Sequence, residues 1–151
     1  MLMNHCSLIA LAAAASLSAC ASVKTIQIAA DSSMSAASIE VDVAKDSPEL
    51  RAVSVSQYFA PGNPLRNAAH PYTARFGAGQ SSVREFPATG LGSRAIIIAQ
   101  LPGGHSDVPG DADSRRKILP LSGKMPDGRK LTPIMRVNVS QGGLTIAPAG
   151  N

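Results

Sequence analysis

The feature that most constrains the fold is a strict alternation of apolar and polar residues in the segment SIEVDV. Ile39, Val41 and Val43 occupy every second position, with Glu40 and Asp42 between them. Successive side chains of a strand point to opposite faces, whereas a helix would distribute these three apolar residues around its circumference. The pattern therefore predicts a half-buried β-strand with the two acidic residues on its polar face.

Similar patterns recur along the chain. Alternation is found in TIQI (25–28), VSVSQYF (53–59) and MRVNV (135–139), each of which predicts a further strand. The segment AIIIA (95–99) is apolar on both faces and predicts a central strand that is covered on both sides. VNVSQGGLTIAP (137–148) has the strand, Gln-Gly-Gly turn and strand of a hairpin.

Proline- and glycine-rich turns separate these strands, and no segment shows a convincing helical period. Residues 30–37 and 63–70 could each form a short helix or a loop. The sequence predicts an all-β fold, an antiparallel β-sandwich with at most short helical insertions. Residues 24–151 are expected to form one domain, because they suffice for a single core and are too few for two.

The N-terminus predicts a lipoprotein signal peptide over residues 1–19. An apolar run from Ser7 to Leu17 has the length of a signal-peptide h-region and is shorter than the roughly 20 residues of a spanning helix. It leads into LSAC, which resembles the bacterial lipobox and ends in Cys20. The alternatives are an ordinary secretory signal and a buried helix, and the lack of Lys or Arg before the run counts against a lipoprotein.

The lipobox resemblance implies that Cys20 becomes the first residue, with a diacylglycerol on sulfur and usually another acyl chain, such as palmitate, on its amine. At about 0.8 kcal/mol per buried methylene, such an anchor is essentially permanent. Ala21 and Ser22 follow, instead of the Asp that tends to hold these lipoproteins at the inner membrane. We expect the periplasmic face of the outer membrane, with residues 20–23 as a short lipidated tether.

Composition excludes several classes of site. Cys6 lies in the signal peptide and Cys20 is the acylated residue, so no thiol remains for a disulfide or a thiolate metal site. The net charge of +4 is mild, and without interleaved aromatic residues it predicts no nucleic-acid partner. A short solvated strand start explains the basic run at 115–117 as well as a bound ligand would. No cofactor is expected.

The sequence contains no recognisable catalytic motif. Residues 90–93 lack the frame of a nucleophile elbow, and residues 77–82 lack the third glycine and the lysine of a phosphate-binding loop. His70 and His105 lie in Pro- or Gly-rich turns, where a surface role is the default. We therefore expect no enzyme, although a Ser-His-Asp triad assembled by folding stays open.

An acidic cluster occupies the segment HSDVPGDADSRR (105–116). Asp107, Asp111 and Asp113 could supply oxygen ligands to Ca²⁺, but their spacing fits no EF-hand loop. The two arginines that follow can neutralise these carboxylates. The sequence favours a solvated loop held by Asp–Arg pairs, with a weak Ca²⁺ site as the alternative.

Four segments together resemble the small lipoprotein of type VI secretion systems, the TssJ, VasD or SciN family. SVKTIQIAA resembles its first strand, SRAIIIAQLPGG its apolar strand and turn, RRKILPL the strand after a variable loop, and MRVNVSQGGLTIAP its closing hairpin. The family's usual Asn-Pro-Asp and Gly-Arg region and its late-strand Trp are missing. The resemblance implies a transthyretin-like sandwich.

The resemblance also implies a structural tether. Such a protein is anchored at the outer membrane and binds the periplasmic domain of an inner-membrane component of a type VI secretion-like complex. The family makes this contact through the loop after the first strand, which corresponds here to Asp31, Ser32, Ser33, Met34, Ser35 and Ala36. Met34 is suited to filling a partner's pocket. A position on the core is the open alternative for this residue.

A second hypothesis is an envelope lipoprotein that binds a small ligand. Its ligand, a sugar, a peptide or Ca²⁺, would be held on the Pro/Gly loops. The aromatic residues all fall between Tyr58 and Phe86, and they would line the pocket.

Overall fold

A computed structural model describes residues 22–34, 38–77 and 82–149. The strands are β1 (Thr25–Ala30), β2 (Ile39–Lys45), β3 (Tyr72–Phe76), β4 (Val83–Pro87), β5 (Arg94–Gln100), β6 (Arg116–Pro120), β7 (Ile134–Ser140) and β8 (Gly143–Pro148). The helices are α1 (Pro48–Ala52), α2 (Val55–Tyr58) and α3 (Pro64–Ala69), with 3-10 turns at Ser32–Met34 and Gly110–Ala112. The predicted signal peptide, Cys20, Ser35 and Ala36 lie outside the described residues.

The strands form two sheets, a first sheet in the order β4-β1-β7-β8 and a second sheet in the order β3-β2-β5-β6. Neighbouring strands are antiparallel except β1 and β7, which are parallel with Gln27 opposite Arg136. The predicted all-β sandwich with short helical insertions is confirmed. The parallel pair was not predicted, because alternation specifies which face a residue occupies and not the direction of the neighbouring strand.

The main core lies between the two sheets. Ile26 and Ile28 of the first sheet meet Ile39, Val41 and Val43 of the second, and each of these side chains is at most 1% exposed. Full burial of such a side chain contributes about 1.5–3 kcal/mol. The alternation that predicted β2 therefore identified its core face correctly.

A second apolar cluster lies on the other face of the second sheet, beneath the three helices. Ile96 and Ile98 belong to this cluster, whereas Ala95, Ile97 and Ala99 belong to the main core. The prediction that β5 is covered on both sides is confirmed.

The predicted strand over 53–59 is wrong, because this segment contains the short helix α2 and follows directly on α1. The Ser47 hydroxyl accepts a hydrogen bond from the N–H of Leu50, and the Ser54 hydroxyl accepts one from Gln57, both at 3.2 Å. These bonds cap α1 and α2. The apolar residues that suggested a strand face the second sheet from the helical layer.

The polar face of β2 is also covered, so the prediction of a half-buried strand is wrong for Asp42, which is 1% exposed. Its carboxylate accepts hydrogen bonds from the Tyr58 hydroxyl at 2.9 Å, from Arg66 Nε at 2.7 Å and from Thr73 Oγ1 at 2.7 Å. Burial raises the pKa of Asp42, and burial together with this carboxylate raises the pKa of Tyr58. A buried charge needs such partners, and α2, α3 and β3 supply them.

The folded domain includes part of the expected tether 20–23. Ser22 forms an isolated bridge with Ser122, and the N–H of Val23 donates to the carbonyl of Leu121 at 2.9 Å. Val23 is 5% exposed and belongs to the main core. None of the helices in the described part of the chain is long and apolar enough to cross a membrane.

Candidate functional site at the end opposite the N-terminus

β1 joins two opposite ends of the sandwich. Its start follows Ser22 and Val23, which contact the segment after β6. At its other end the N–H of Asp31 donates to the carbonyl of Val139, the penultimate residue of β7, at 2.8 Å. The six residues of β1 span about 20 Å. Residues 22–24 and 121–133 are termed the N-terminal end, and residues 31–34, 101–115 and 141–142 the distal end.

The first part of the predicted docking loop is an ordered turn. The Asp31 carboxylate accepts a hydrogen bond from the N–H of Ser33 at 2.8 Å, and the carbonyl of Asp31 accepts one from Met34 at 2.9 Å. The backbone bond from Ser33 holds the pKa of Asp31 below its usual value. Ser32 and Ser33 are exposed on this turn. The turn therefore presents a negative charge and two hydroxyl groups to solvent.

Met34 does not contribute to that surface. Its side chain is 2% exposed and packs in the main core. The expectation that Met34 fills a partner's pocket is contradicted, and the alternative position on the core is the one observed. A buried methionine here fixes the turn to the sandwich, because moving it out would expose its apolar surface to water. Ser35 and Ala36 lie outside the described residues.

The segment 101–115 is the second part of the distal end, and an ion pair stabilises it. Arg115 donates to both carboxylate oxygens of Asp113, from Nε at 3.0 Å and from Nη2 at 2.7 Å. The same Nη2 donates to Asp107 at 2.8 Å, and Asp107 also accepts the N–H of Ser56 at 3.1 Å. The predicted Asp–Arg pairs are confirmed, and they connect this loop to the start of α2.

These contacts pair two of the three aspartates of the Ca²⁺ alternative with Arg115. The Asp113 side chain is 0% exposed and faces Arg115, not a neighbouring carboxylate. Burial opposes the ionisation of both carboxylates, but hydrogen bonds prevail and hold each pKa below its usual value, those from Arg115 for Asp113 and chiefly that from the Ser56 N–H for Asp107. No group of three or more potential metal-ligating side chains occurs among the described residues. Asp111 is exposed and belongs to no such group.

Arg116 is buried, which the interpretation of residues 115–117 as a solvated strand start did not anticipate. It is 0% exposed. Its Nη1 donates to the carbonyls of Arg51 and Gly110, each at 3.1 Å, and its Nη2 donates to the carbonyl of Val53. Arg116 therefore satisfies the carbonyls at the end of α1 and connects that helix to the distal segment. No local sequence pattern distinguishes it from Arg115.

A shallow cleft of about 420 Å³ opens at the distal end, between the segment 101–115 and the β7–β8 turn. His105 lies in it, and its Nδ1 is 3.1 Å from the hydroxyl of Ser114. No carboxylate of the described residues is hydrogen-bonded to this imidazole. The structure therefore joins a serine and a histidine here without the third member of a triad. His70 is exposed at the end of α3, in a left-handed conformation.

The aromatic residues are distributed over both apolar clusters and a stacked pair instead of lining one pocket. Tyr58 and Phe59 pack in the helical cluster, and Phe76 lies in the main core. Tyr72 and Phe86 stack on each other with ring centroids 5.4 Å apart. The arrangement does not provide the aromatic pocket expected for a small-ligand carrier.

Comparison with known proteins finds similar structures but no match by sequence. No family model matches the chain, and no curated protein matches it. The chain is similar to Serratia marcescens Lip, a membrane-bound component of the type VI secretion system, with a TM-score of 0.56 and 13% identity over 87% of this chain and 99% of that one. The fold is TssJ-like.

Two further structures support this assignment of the fold. The T6SS lipoprotein TssJ1 from Pseudomonas aeruginosa has a TM-score of 0.51 and 13% identity, covering 86% of this chain and 98% of that one. A structure described as the T6SS protein TssM C-terminal domain (869-1107) from EAEC contains a chain with a TM-score of 0.54 and 15% identity, covering 84% of this chain and 100% of that one. The sandwich expected from the sequence resemblance is confirmed, with nearly the whole of each neighbour matched.

Proposed function

We propose that the protein is a lipid-anchored tether at the periplasmic face of the outer membrane. In this role it binds the periplasmic domain of an inner-membrane component of a type VI secretion-like complex. The observation that carries the proposal is the placement of Ser22, where the described chain begins, and of the Asp31–Met34 turn at opposite ends of β1. A TssJ-like fold supports it, since Lip is a membrane-bound component of such a system.

The anchor is assigned to Cys20, two residues before Ser22, which already contacts the folded domain. Acyl chains on Cys20 would hold the N-terminal end against the bilayer, so the distal end would face away from it. Mass spectrometry of the N-terminal peptide tests this assignment. We expect a chain that starts at acylated Cys20, and a Cys20→Ser variant that is not acylated. An unmodified cysteine in the membrane fraction would contradict the anchor.

The docking contact is assigned to the exposed turn residues Asp31, Ser32 and Ser33, with Ser35 and Ala36 retained from the sequence resemblance. Because the side chain of Met34 is buried, its contribution is to support the turn. The partner must then recognise a small polar protrusion with one negative charge.

Affinity capture from detergent-solubilised envelopes tests the contact. The full chain is expected to retain a large inner-membrane protein, and Ser32→Arg with Ser33→Arg is expected to abolish capture by steric obstruction. Thr145→Arg, on the exposed outer face of β8, is the matched control and is expected to leave capture unchanged. Undiminished capture by the double variant would contradict the assignment of the docking contact to this turn. Absence of any captured envelope protein would contradict the proposed role as a tether.

A further inference from the structure

Three exposed lysines, Lys24, Lys124 and Lys130, lie at the N-terminal end and are termed the lysine cluster. The N–H of Lys24 donates to the carbonyl of Pro133 at 2.7 Å. Lys124 and Lys130 are directly opposite each other in an isolated antiparallel bridge, two residues beyond the bridge between Ser22 and Ser122. The fold thus places lysines that are far apart in sequence at the same end of the sandwich, where the described chain begins.

This arrangement carries an electrostatic cost. Like charges directly opposite each other in a strand pair are destabilising. The one acidic residue in the turn between them, Asp127, pairs with Arg129 at 2.6 Å. Among ion pairs of the described residues, none includes a lysine of the cluster. The charges of the cluster are therefore available to an external anion.

The position of the hairpin that carries two of these lysines is fixed. Met125 and Leu131, at 8% and 3% exposed, anchor it in the main core. The N–H of Met125 also donates to the carbonyl of Arg129 at 3.0 Å. Because buried side chains hold both arms of the hairpin, the two lysines stay at the N-terminal end.

We infer that the lysine cluster binds the anionic headgroups of the phospholipid bilayer that anchors the protein. The inference rests on the proposed attachment through Cys20, which brings the N-terminal end within a few residues of the lipid. Each lysine near an anionic bilayer increases binding about fivefold (about 1 kcal/mol), and the attraction acts within a screening distance of about 10 Å. The attraction between the lysine cluster and the headgroups complements the acyl anchor, because it turns the N-terminal end toward the bilayer and the distal end away from it.

Vesicle sedimentation tests the inference without the acyl anchor. A chain of residues 20–151 carrying Cys20→Ser retains all strands and both apolar clusters described above. In about 0.1 M salt, where the screening distance is about 10 Å, it is expected to bind vesicles of equal parts phosphatidylglycerol and phosphatidylcholine, but not vesicles of phosphatidylcholine alone. Replacing all three cluster lysines by glutamine is expected to weaken binding on the order of 100-fold. Relief of the repulsion between Lys124 and Lys130 is expected to leave the unfolding temperature equal or higher.

The matched control removes the same charge elsewhere, through Arg75→Gln, Lys117→Gln and Arg136→Gln, and is expected to change vesicle binding by less than about threefold. Equal losses in both triple variants would show that only net charge matters and would overturn the inference. So would a failure of the unsubstituted chain to bind anionic vesicles. Release by inorganic phosphate, but not by sodium chloride of equal ionic strength, would indicate a discrete phosphate site and also overturn it. Because no arm uses acylation, the proposed anchor can fail independently.

Discussion

Removing the buried Arg115 guanidinium should destabilise the domain more than removing any exposed or half-exposed charge of the distal end. In the variant Arg115→Met, the carboxylate of Asp113 loses both side-chain hydrogen bonds and keeps only that from the N–H of residue 115, at 2.9 Å. The Asp113 side chain is 0% exposed, so water cannot replace the lost donors without opening the loop. The variant therefore leaves a buried charge without its counter-ion.

The expected cost is large. Breaking a buried ion pair by removing one partner costs roughly 3–5 kcal/mol, and the retained backbone bond places this case near the lower limit. For a domain of this size, a loss of about 3 kcal/mol lowers the unfolding temperature by about 12 °C. The second partner of Arg115, Asp107, is 35% exposed, so Asp107→Asn should cost only about 0.5 kcal/mol after solvent screening.

Urea unfolding followed by circular dichroism measures both costs. The double variant Arg115→Met with Asp113→Leu is the decisive control, because it removes the buried pair as a unit and should recover much of the loss. If Arg115→Met lowered the free energy of unfolding as little as Asp107→Asn does, the buried pair would not stabilise this loop. If the double variant were as unstable as the sum of its single substitutions, the cost would come from packing and not from an unpaired charge.

Three further outcomes are expected from the same unfolding measurements. Tyr58→Phe removes the hydroxyl that donates to Asp42 and should cost about 1.5 kcal/mol, since the acceptor is charged and buried. Gly143→Ala should cost about 2 kcal/mol or more, because φ is +124° and an added Cβ would lie 2.5 Å from the carbonyl oxygen of Ser114. The stability that Asp113 contributes should be fully present above about pH 4 and be lost as the pH falls through its lowered pKa.

Each of these expectations has a matched control. Tyr72→Phe changes a hydroxyl on a side chain that is 36% exposed and should leave the free energy of unfolding unchanged. Gly142→Ala adds a Cβ whose nearest neighbour is 3.8 Å away and should be tolerated. Arg115→Met should abolish the acid-dependent loss assigned to Asp113. Equal effects in a variant and its control would contradict the reason given for that variant.

The sequence predicted those strands whose faces are determined by neighbouring residues. The alternation in β2, the doubly apolar β5 and the Gln-Gly-Gly turn of the β7–β8 hairpin each depend on a few consecutive positions. The segment 53–59 misled because its serines occupy alternate positions, as in a strand. A helical signal was nevertheless present, since the Ser54 hydroxyl caps α2, just as Ser47, which precedes a proline, caps α1.

The burial of polar residues within strands could not be predicted in the same way. Asp42 and Arg116 are polar residues at strand positions that a local pattern assigns to solvent. Both are covered by helices contributed from a different part of the chain. The pairing of Asp113 with Arg115 was predictable because the two residues are only two positions apart in one loop. Sequence reasoning is reliable where a contact is local, and it fails where the covering segment is distant.

The position of β1 within the first sheet gives the proposed tether a mechanical basis. Tension between an anchor at Cys20 and a partner at the Asp31 turn would run along β1. This strand is paired on both sides, with β4 from Thr25 to Ala29 and with β7 from Thr25 to Ala30. Force along a strand loads the hydrogen bonds of both ladders together, whereas force across an edge strand would break them one after another. Because β1 is a central strand, tension applied at its two ends is distributed over the hydrogen bonds to both β4 and β7.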